Sequence, residues 1–149
     1  MRVLIQRVKR ASVKVDGNNV AETGRGLLIF AGVGRDDDME DIERVVKKVI
    51  NLRVFEDEHG KMNLNIKQVR GEILSVSQFT LYADTRKGNR PGFDQAAGPG
   101  LAKDYWERFN NLLRENNVDV REGIFGARME VELINDGPVT IWLDSKNPS

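Results

Sequence analysis

At 149 residues, with 40% hydrophobic and 31% charged side chains, the chain is long enough to bury one core and is ordinary in composition for a globular protein. Its 23 basic residues are balanced by 23 acidic ones. This excludes broad electrostatic wrapping of nucleic acid, whose affinity comes from neutralised phosphates, but not a local basic patch on a short single-stranded end. With no cysteine and one histidine, His59, disulfides, thiolate nucleophiles and a multi-His metal site within one chain are excluded as well.

Arg2 to Val8 and Ser12 to Val15 read as strands, and Val20 to Thr23 returns after the turn Asp16-Gly17-Asn18-Asn19. Leu27 to Val33 is a buried strand and the longest apolar run, far too short to span a membrane. Gln6 and Arg7 interrupt the start, so it is not a signal peptide. The expectation is a cytoplasmic protein. Gly32-x-Gly34 lacks the third glycine of a dinucleotide fingerprint and is followed by Asp36-Asp37-Asp38, which suits a helix N-terminus. Met39, Ile42, Val45, Val46, Val49 and Ile50 then recur at helical spacing.

Leu52 to Phe55 reads as a strand, and Glu56 to Lys61 as a polar turn that puts His59 in solvent. Glu72 to Val76 is a buried strand. Thr85 to Ala97 is a loop, and Pro99 opens a second helix. The predicted apolar face of that helix is Leu101, Tyr105, Phe109, Leu112 and Leu113, with Trp106 at its edge. Val118 to Glu122, Met129 to Ile134 and Val139 to Asp144 are strands, and 146–149 reads as a frayed tail. Asp136-Gly137 between the last two reads as a hairpin turn. No repeat or linker interrupts the chain. The predicted fold is α+β and mostly β: a single domain over 1–149, an antiparallel barrel-like sheet covered by two helices.

Four stretches are candidates for chemistry. Ser77-Gln78-Phe79-Thr80 puts two hydroxyls and an amide at a strand end, where the Gln78 amide and the Phe79 N–H can form an oxyanion hole; a solvent-facing strand end is the plainer reading. Thr80 is a weak nucleophile without a base, so such a site suits an already activated ester. Arg86, Asn89, Arg90 and Phe93 share one loop and suit a single-stranded RNA end, although a solvated loop has the same composition. Gly126 and Ala127 allow close backbone approach beside Met129, or mark a bulged strand start. Gly137-Pro138 is a turn, or else a rigid display of two carbonyls.

Together these stretches resemble the D-aminoacyl-tRNA deacylase family from Met1 to Asp144. The resemblance includes Gln6-Arg7-Val8, Ala11-Ser12-Val13, Arg53 to Asp57 and Gly60 to Asn63. Its most specific parts are the two signatures Ser77-Gln78-Phe79-Thr80-Leu81 and Asn135-Asp136-Gly137-Pro138-Val139-Thr140. It implies a homodimer with active sites at the interface and no metal, cofactor or membrane. The substrate would be a tRNA charged with a D-amino acid or glycine. By this similarity, Gly137-Pro138 is a cis pair lent to the partner's pocket, crowding out an L side chain, and Arg7 braces it. Gln78 and the Phe79 N–H polarise the ester carbonyl, Ser77 shapes the site, and Thr80 orients the substrate or attacks it. The shortage of bases favours a water aided by the terminal ribose 2′-OH. Gly92, where a Ser is common, and Glu122, where a Thr is common, depart from the family pattern. The alternatives are a non-catalytic module that binds RNA 3′ ends through the Arg86 to Phe93 loop, and a purely structural barrel dimer.

Overall fold

The computed structural model describes residues 1–148. Strand β1 (Arg2–Val15) is followed by β2 (Asn18–Thr23), β3 (Gly26–Gly32), helix α1 (Met39–Asn51), the short strands β4 (Phe55–Glu56) and β5 (Met62–Leu64), and β6 (Glu72–Ser77). A 3-10 turn at Phe79–Tyr82 follows, then helix α2 (Pro99–Glu115), β7 (Asp119–Glu122) and β8 (Glu130–Asp144).

The two runs expected at the start form one strand. The first half of β1 pairs with β3 and the second half with β2, while β8 runs antiparallel along nearly its whole length on the other edge. The sheet order is β2-β1-β3-β6-β7, and β2 comes back against β6 and β7, so the sheet nearly closes on itself. It is mostly β with two helices, as expected, but not wholly antiparallel. β3 and β6 pair in parallel, and so do β6 and β7. The reason is that each connection carries a helix, which brings the next strand back in the same direction. Leu52 to Phe55 yields only the two-residue β4, paired with β5.

No hairpin separates Met129 to Ile134 from Val139 to Asp144: both belong to β8 and pair with β1. Thr140 lies opposite Gln6 and Ile134 opposite Arg10. β8 therefore takes six residue steps where β1 takes four, and the surplus must leave the ladder. Asn135 keeps a partner in Val8, so the residues that leave the ladder are Asp136 to Val139, four residues opposite the single Arg7, and the Asp-Gly turn signal marks a bulge in one strand.

The core has two parts. Val3, Ile5, Leu27, Ile29 and Ile73 face the helices, and Val8, Ala11, Val13, Leu28 and Leu74 face the inside of the curved sheet. The alternation of β3 and β6 between the two explains why both read as continuous apolar runs. Asp38 caps α1 in a reciprocal box with Asp41. On α2, Trp106 is 3% exposed and Leu101 38% exposed, so the buried stripe is turned from the predicted one. Trp106 can be buried because its indole N–H donates to Ser75 Oγ at 2.9 Å.

Lys146, expected in a loose tail, places Nζ 2.7 Å from Asp41 Oδ2; Ser149 lies outside the described residues. Burial raises the Asp41 carboxyl, but hydrogen bonds from Lys146, the Asp38 N–H and Ser145 outweigh it and hold the group well below its ordinary value. Its stabilising effect is therefore complete above the ordinary carboxylate range and lost only as pH falls through the lowered value. Asp41→Ala should cost about 1–3 kcal/mol in urea unfolding at neutral pH. The gap to the parent should be flat above about pH 5 and shrink below about pH 4. Lys146→Ala, whose side chain is half exposed, should cost about 1 kcal/mol or less.

Candidate active site

The parallel pairs decide where the site lies. Open sheets with parallel strands leave a crevice at the strands' carboxyl ends. Here a cavity of about 590 Å³ is lined by Ala31 and Val33 beyond β3, Val76 and Ser77 at the end of β6, and Phe125 beyond β7. Pro99 and Ala102 at the start of α2 form another wall. Gln78, Phe79, Phe93, Gly126, Ala127 and Met129 complete the surroundings that bear on chemistry. Most of the lining is apolar, and the polar groups come from one corner.

That corner is built by the end of β6. The Gln78 N–H donates to Ala31 O at 2.8 Å, the last tie of this chain segment to β3. The backbone then tightens into the 3-10 turn, with Leu81 N–H bonded to Gln78 O and Ala83 N–H to Thr80 O. The first N–H groups of such a turn have no acceptor inside it. Phe79 N–H finds none among the described residues either. It is a free backbone donor beside the cavity. The Gln78 amide nitrogen donates to Thr80 Oγ1. An amide cannot take a proton at neutral pH, so Thr80 has a hydrogen-bond partner but no base. Gln78 and Ser77 are half-buried, and Phe79 and Thr80 are exposed.

Phe79 meets Phe93 edge-to-face, with ring centroids 5.0 Å apart and planes at 71°. Phe93 is fixed because the backbones of Asp84 and Gly92 bond each other on one side of it and Ala97 N–H bonds Val33 O on the other. The loop tip is less available than its composition suggests. Arg86 holds Asp84 through two nitrogens, at 2.9 and 2.6 Å, which keeps the Asp84 carboxyl well below its ordinary range. Asn89 and Arg90 are exposed.

Arg7, Gly137 and Pro138 do not line this cavity. They sit at the β8 bulge, where the Gly137–Pro138 peptide is cis and Gly137 has φ +126°. Asn135 staples the bulge: its Oδ1 accepts from Val139 N–H at 3.2 Å and its Nδ2 donates to Thr140 Oγ1 at 3.0 Å. Arg7 is 6% exposed; its Nε donates to Asp136 O at 3.0 Å and its Nη1 to Val54 O at 2.7 Å. Arg7 thus ties the bulge to the chain before β4, while Gly137 and Pro138 are exposed. Within one chain the two signatures form separate surfaces.

Sequence reasoning did not place Trp106 or Phe125 in the site. Their rings stand 6.0 Å apart and wall the cavity. A residue on a helix face carries no local mark of what it faces, and only the packing of α2 on β6 reveals it. Glu122 turns away from the cavity and accepts from buried Asn110 at 2.6 Å.

The chain matches the family model described as D-Tyr-tRNA(Tyr) deacylase over residues 4–144. It is 53% identical over 146 residues to a D-aminoacyl-tRNA deacylase of Thermosipho africanus (strain TCF52B), covering 98% of each chain. The solved structure of a c-Myc DNA Unwinding Element Binding Protein superposes with a TM-score of 0.92 at 40% identity, over the whole of both chains. A second structure, described as "Structural Analysis of a probable eukaryotic D-amino acid tRNA deacylase", shares the fold with a TM-score of 0.77 at 20% identity, over 95% of this chain and 97% of that one. The chain belongs to the D-Tyr-tRNA(Tyr) deacylase family.

Two substitutions test this geometry. A Cβ on Gly137 would stand 2.8 Å from Arg7 Nη2 and 3.0 Å from Val139 Cγ2, at a φ that side chains resist. Gly137→Ala should shift the bulge, read as backbone amide NMR shifts centred on Asn135 to Thr140 and Arg7, with the circular dichroism spectrum retained. Trp106→Phe leaves buried Ser75 Oγ without its donor and should cost about 1–3 kcal/mol in denaturant unfolding.

Proposed function

We propose that this protein hydrolyses the ester of D-aminoacyl-tRNA, releasing tRNA and the free D-amino acid. The observation that carries the reading is the turn after β6: a free Phe79 N–H and the Gln78 amide beside a mostly apolar cavity, with no base at Thr80. Such a site is equipped to polarise a carbonyl and poorly equipped to generate a nucleophile. An aminoacyl-tRNA ester, already activated and carrying a vicinal hydroxyl, is a substrate that matches it. The whole-length relative named D-aminoacyl-tRNA deacylase supports the same assignment.

In this reading the aminoacyl group on the 3′-terminal adenosine enters the cavity, with the Phe79–Phe93 pair offering ring surface to a base. Gln78 and the Phe79 N–H polarise the carbonyl, Ser77 shapes the corner and Met129 forms adaptable lining. A water aided by the ribose 2′-OH attacks, and Thr80 orients the substrate. Asn89 and Arg90 contact the tRNA end; Arg86, held by Asp84, organises the loop. No metal or cofactor takes part.

The protein acts as a homodimer. All fifteen residues of β8 are exposed or half-exposed in one chain, with Ile134 41% and Trp142 43% exposed. Gly137 and Pro138 project outside the chain's own cavity, braced by Arg7. A second copy would cover this surface and receive the Gly-Pro edge, which excludes L side chains and admits D residues and glycine. Selection by exclusion tolerates many D side chains. No helix among the described residues is long and apolar enough to cross a membrane, and the place of work is the cytoplasm, with the tRNA pool.

The test is release of amino acid from D-tyrosyl-tRNA and L-tyrosyl-tRNA, side by side, with and without chelator. Cleavage of only the D ester, indifferent to chelator, is expected. Binding of tRNA without turnover would overturn the enzyme reading in favour of a binding module. Thr80→Ala should slow cleavage less than about tenfold, whereas loss of a covalent nucleophile costs on the order of 10⁶.

A further inference from the structure

The 3-10 turn that carries the proposed oxyanion donors is four residues long and held by few hydrogen bonds of its own. 3-10 geometry is intrinsically weaker than α-helical geometry, so its position depends on what grips it from outside. One grip is the Gln78 N–H on Ala31 O, at the front of the turn.

The rear grip comes from the first residue of β1. Arg2 Nη1 donates to Leu81 O at 3.0 Å, satisfying a carbonyl at the open end of the turn. Its Nε donates to Asp144 Oδ2 at 3.1 Å, near the end of β8. The guanidinium lies 4.4 Å from the centroid of Tyr82 and 5.9 Å from that of Trp142. Tyr82, the last residue of the turn, is 7% exposed and pressed on the backbone of β3's end; a Cβ on Gly34 would stand 2.8 Å from its hydroxyl oxygen. That hydroxyl reaches Asp37 Oδ2 at 3.5 Å, and Asp37 in turn pairs with the Met1 ammonium at 2.6 Å. Burial, first of all, pushes the Tyr82 phenol above its ordinary value, so it stays neutral.

We infer that Arg2 is a positioning residue for deacylation: its planar fork clamps the Leu81 carbonyl and the Tyr82 ring to the β1–β8 ladder and so fixes where Gln78, the Phe79 N–H and Thr80 stand. The inference rests on the reading in which this turn carries the catalytic groups. The clamp needs one side chain that bonds in two directions within a plane while stacking on a ring. Arginine does this and lysine does not. Arg2 touches no cavity wall, so its loss acts through the turn and changes the rate of the bound complex more than the binding of tRNA.

The experiment measures kcat and KM for D-tyrosyl-tRNA on Arg2→Ala, Arg2→Lys, Gln78→Ala and Arg10→Ala, with the folded fraction at assay temperature taken from thermal melts. Arg2→Ala should lower kcat by about ten- to a hundredfold, the scale of an ångström-sized misplacement, with KM within about threefold. Arg2→Lys should recover only part of the loss. Arg10→Ala removes an exposed ion pair with Glu132 farther along β1 and should leave both constants unchanged. A kcat for Arg2→Ala within threefold of the parent, or a loss that merely follows the unfolded fraction, overturns the inference. If Arg2→Ala does not fold, Arg2→Lys decides: parental kcat overturns the clamp, and reduced kcat at parental KM upholds it. Gln78→Ala separates the two levels. A Gln78→Ala enzyme as fast as the parent removes the reading of the turn itself and this inference with it. A slow Gln78→Ala enzyme beside a fast Arg2→Ala one removes the clamp alone.

Discussion

Hydrogen bonding on both edges of β1 is the constraint on which the rest depends. A strand paired along its whole length cannot slide without moving every side chain to the wrong face. β1 thereby fixes the register of β2, β3 and β8 together. The surplus residues of β8 have no partner on β1, so they leave the ladder at one defined place. Arg7 and Asn135 then hold the displaced backbone in a single shape. The same strand supplies Arg2 at its start, next to the turn after β6. Both candidate signatures are thus referred to one rigid element, although they lie far apart in sequence.

The second organising fact is the change of strand direction within the sheet. The antiparallel half could be built from hairpins, but β3, β6 and β7 run together because α1 and α2 intervene. Three strand ends and the start of α2 then converge, which leaves a crevice lined by apolar side chains. Its polar equipment comes from the point where β6 stops pairing and its backbone N–H groups come free. Chemistry is placed where regular structure ends, because only there are main-chain donors unspent.

The division of labour between rigid and exposed parts is consistent with chiral proofreading. The groups proposed to polarise the carbonyl, Gln78 and the Phe79 N–H, are referenced to the core through Ala31 and Leu81, whereas the Gly-Pro edge is turned outward. The proposed filter, working by exclusion, would need stiffness more than complementarity, and Arg7, almost fully buried, is bonded to the bulge at Asp136 O.

Much of this was legible in the chain itself. Period-two and continuous apolar runs marked β1, β3, β6 and β7, Asp38 and the spacing from Met39 to Ile50 marked α1, and Pro99 marked the start of α2, because each of these signals is local. The two signatures stood out for the same reason: hydroxyls, an amide and Gly-Pro are rare where they occur. Three things required the tertiary structure. The Asp-Gly signal was that of a hairpin, and only competition for β1's edge made it a bulge. The parallel pairing came from crossover connections, which no residue pattern within a strand announces. Trp106, Phe125 and Arg2 gained their places from what they face across the fold: a hydroxyl on β6, an indole on α2, a carbonyl at Leu81. Sequence fixes what a residue can bond to, and packing decides which partner comes within reach.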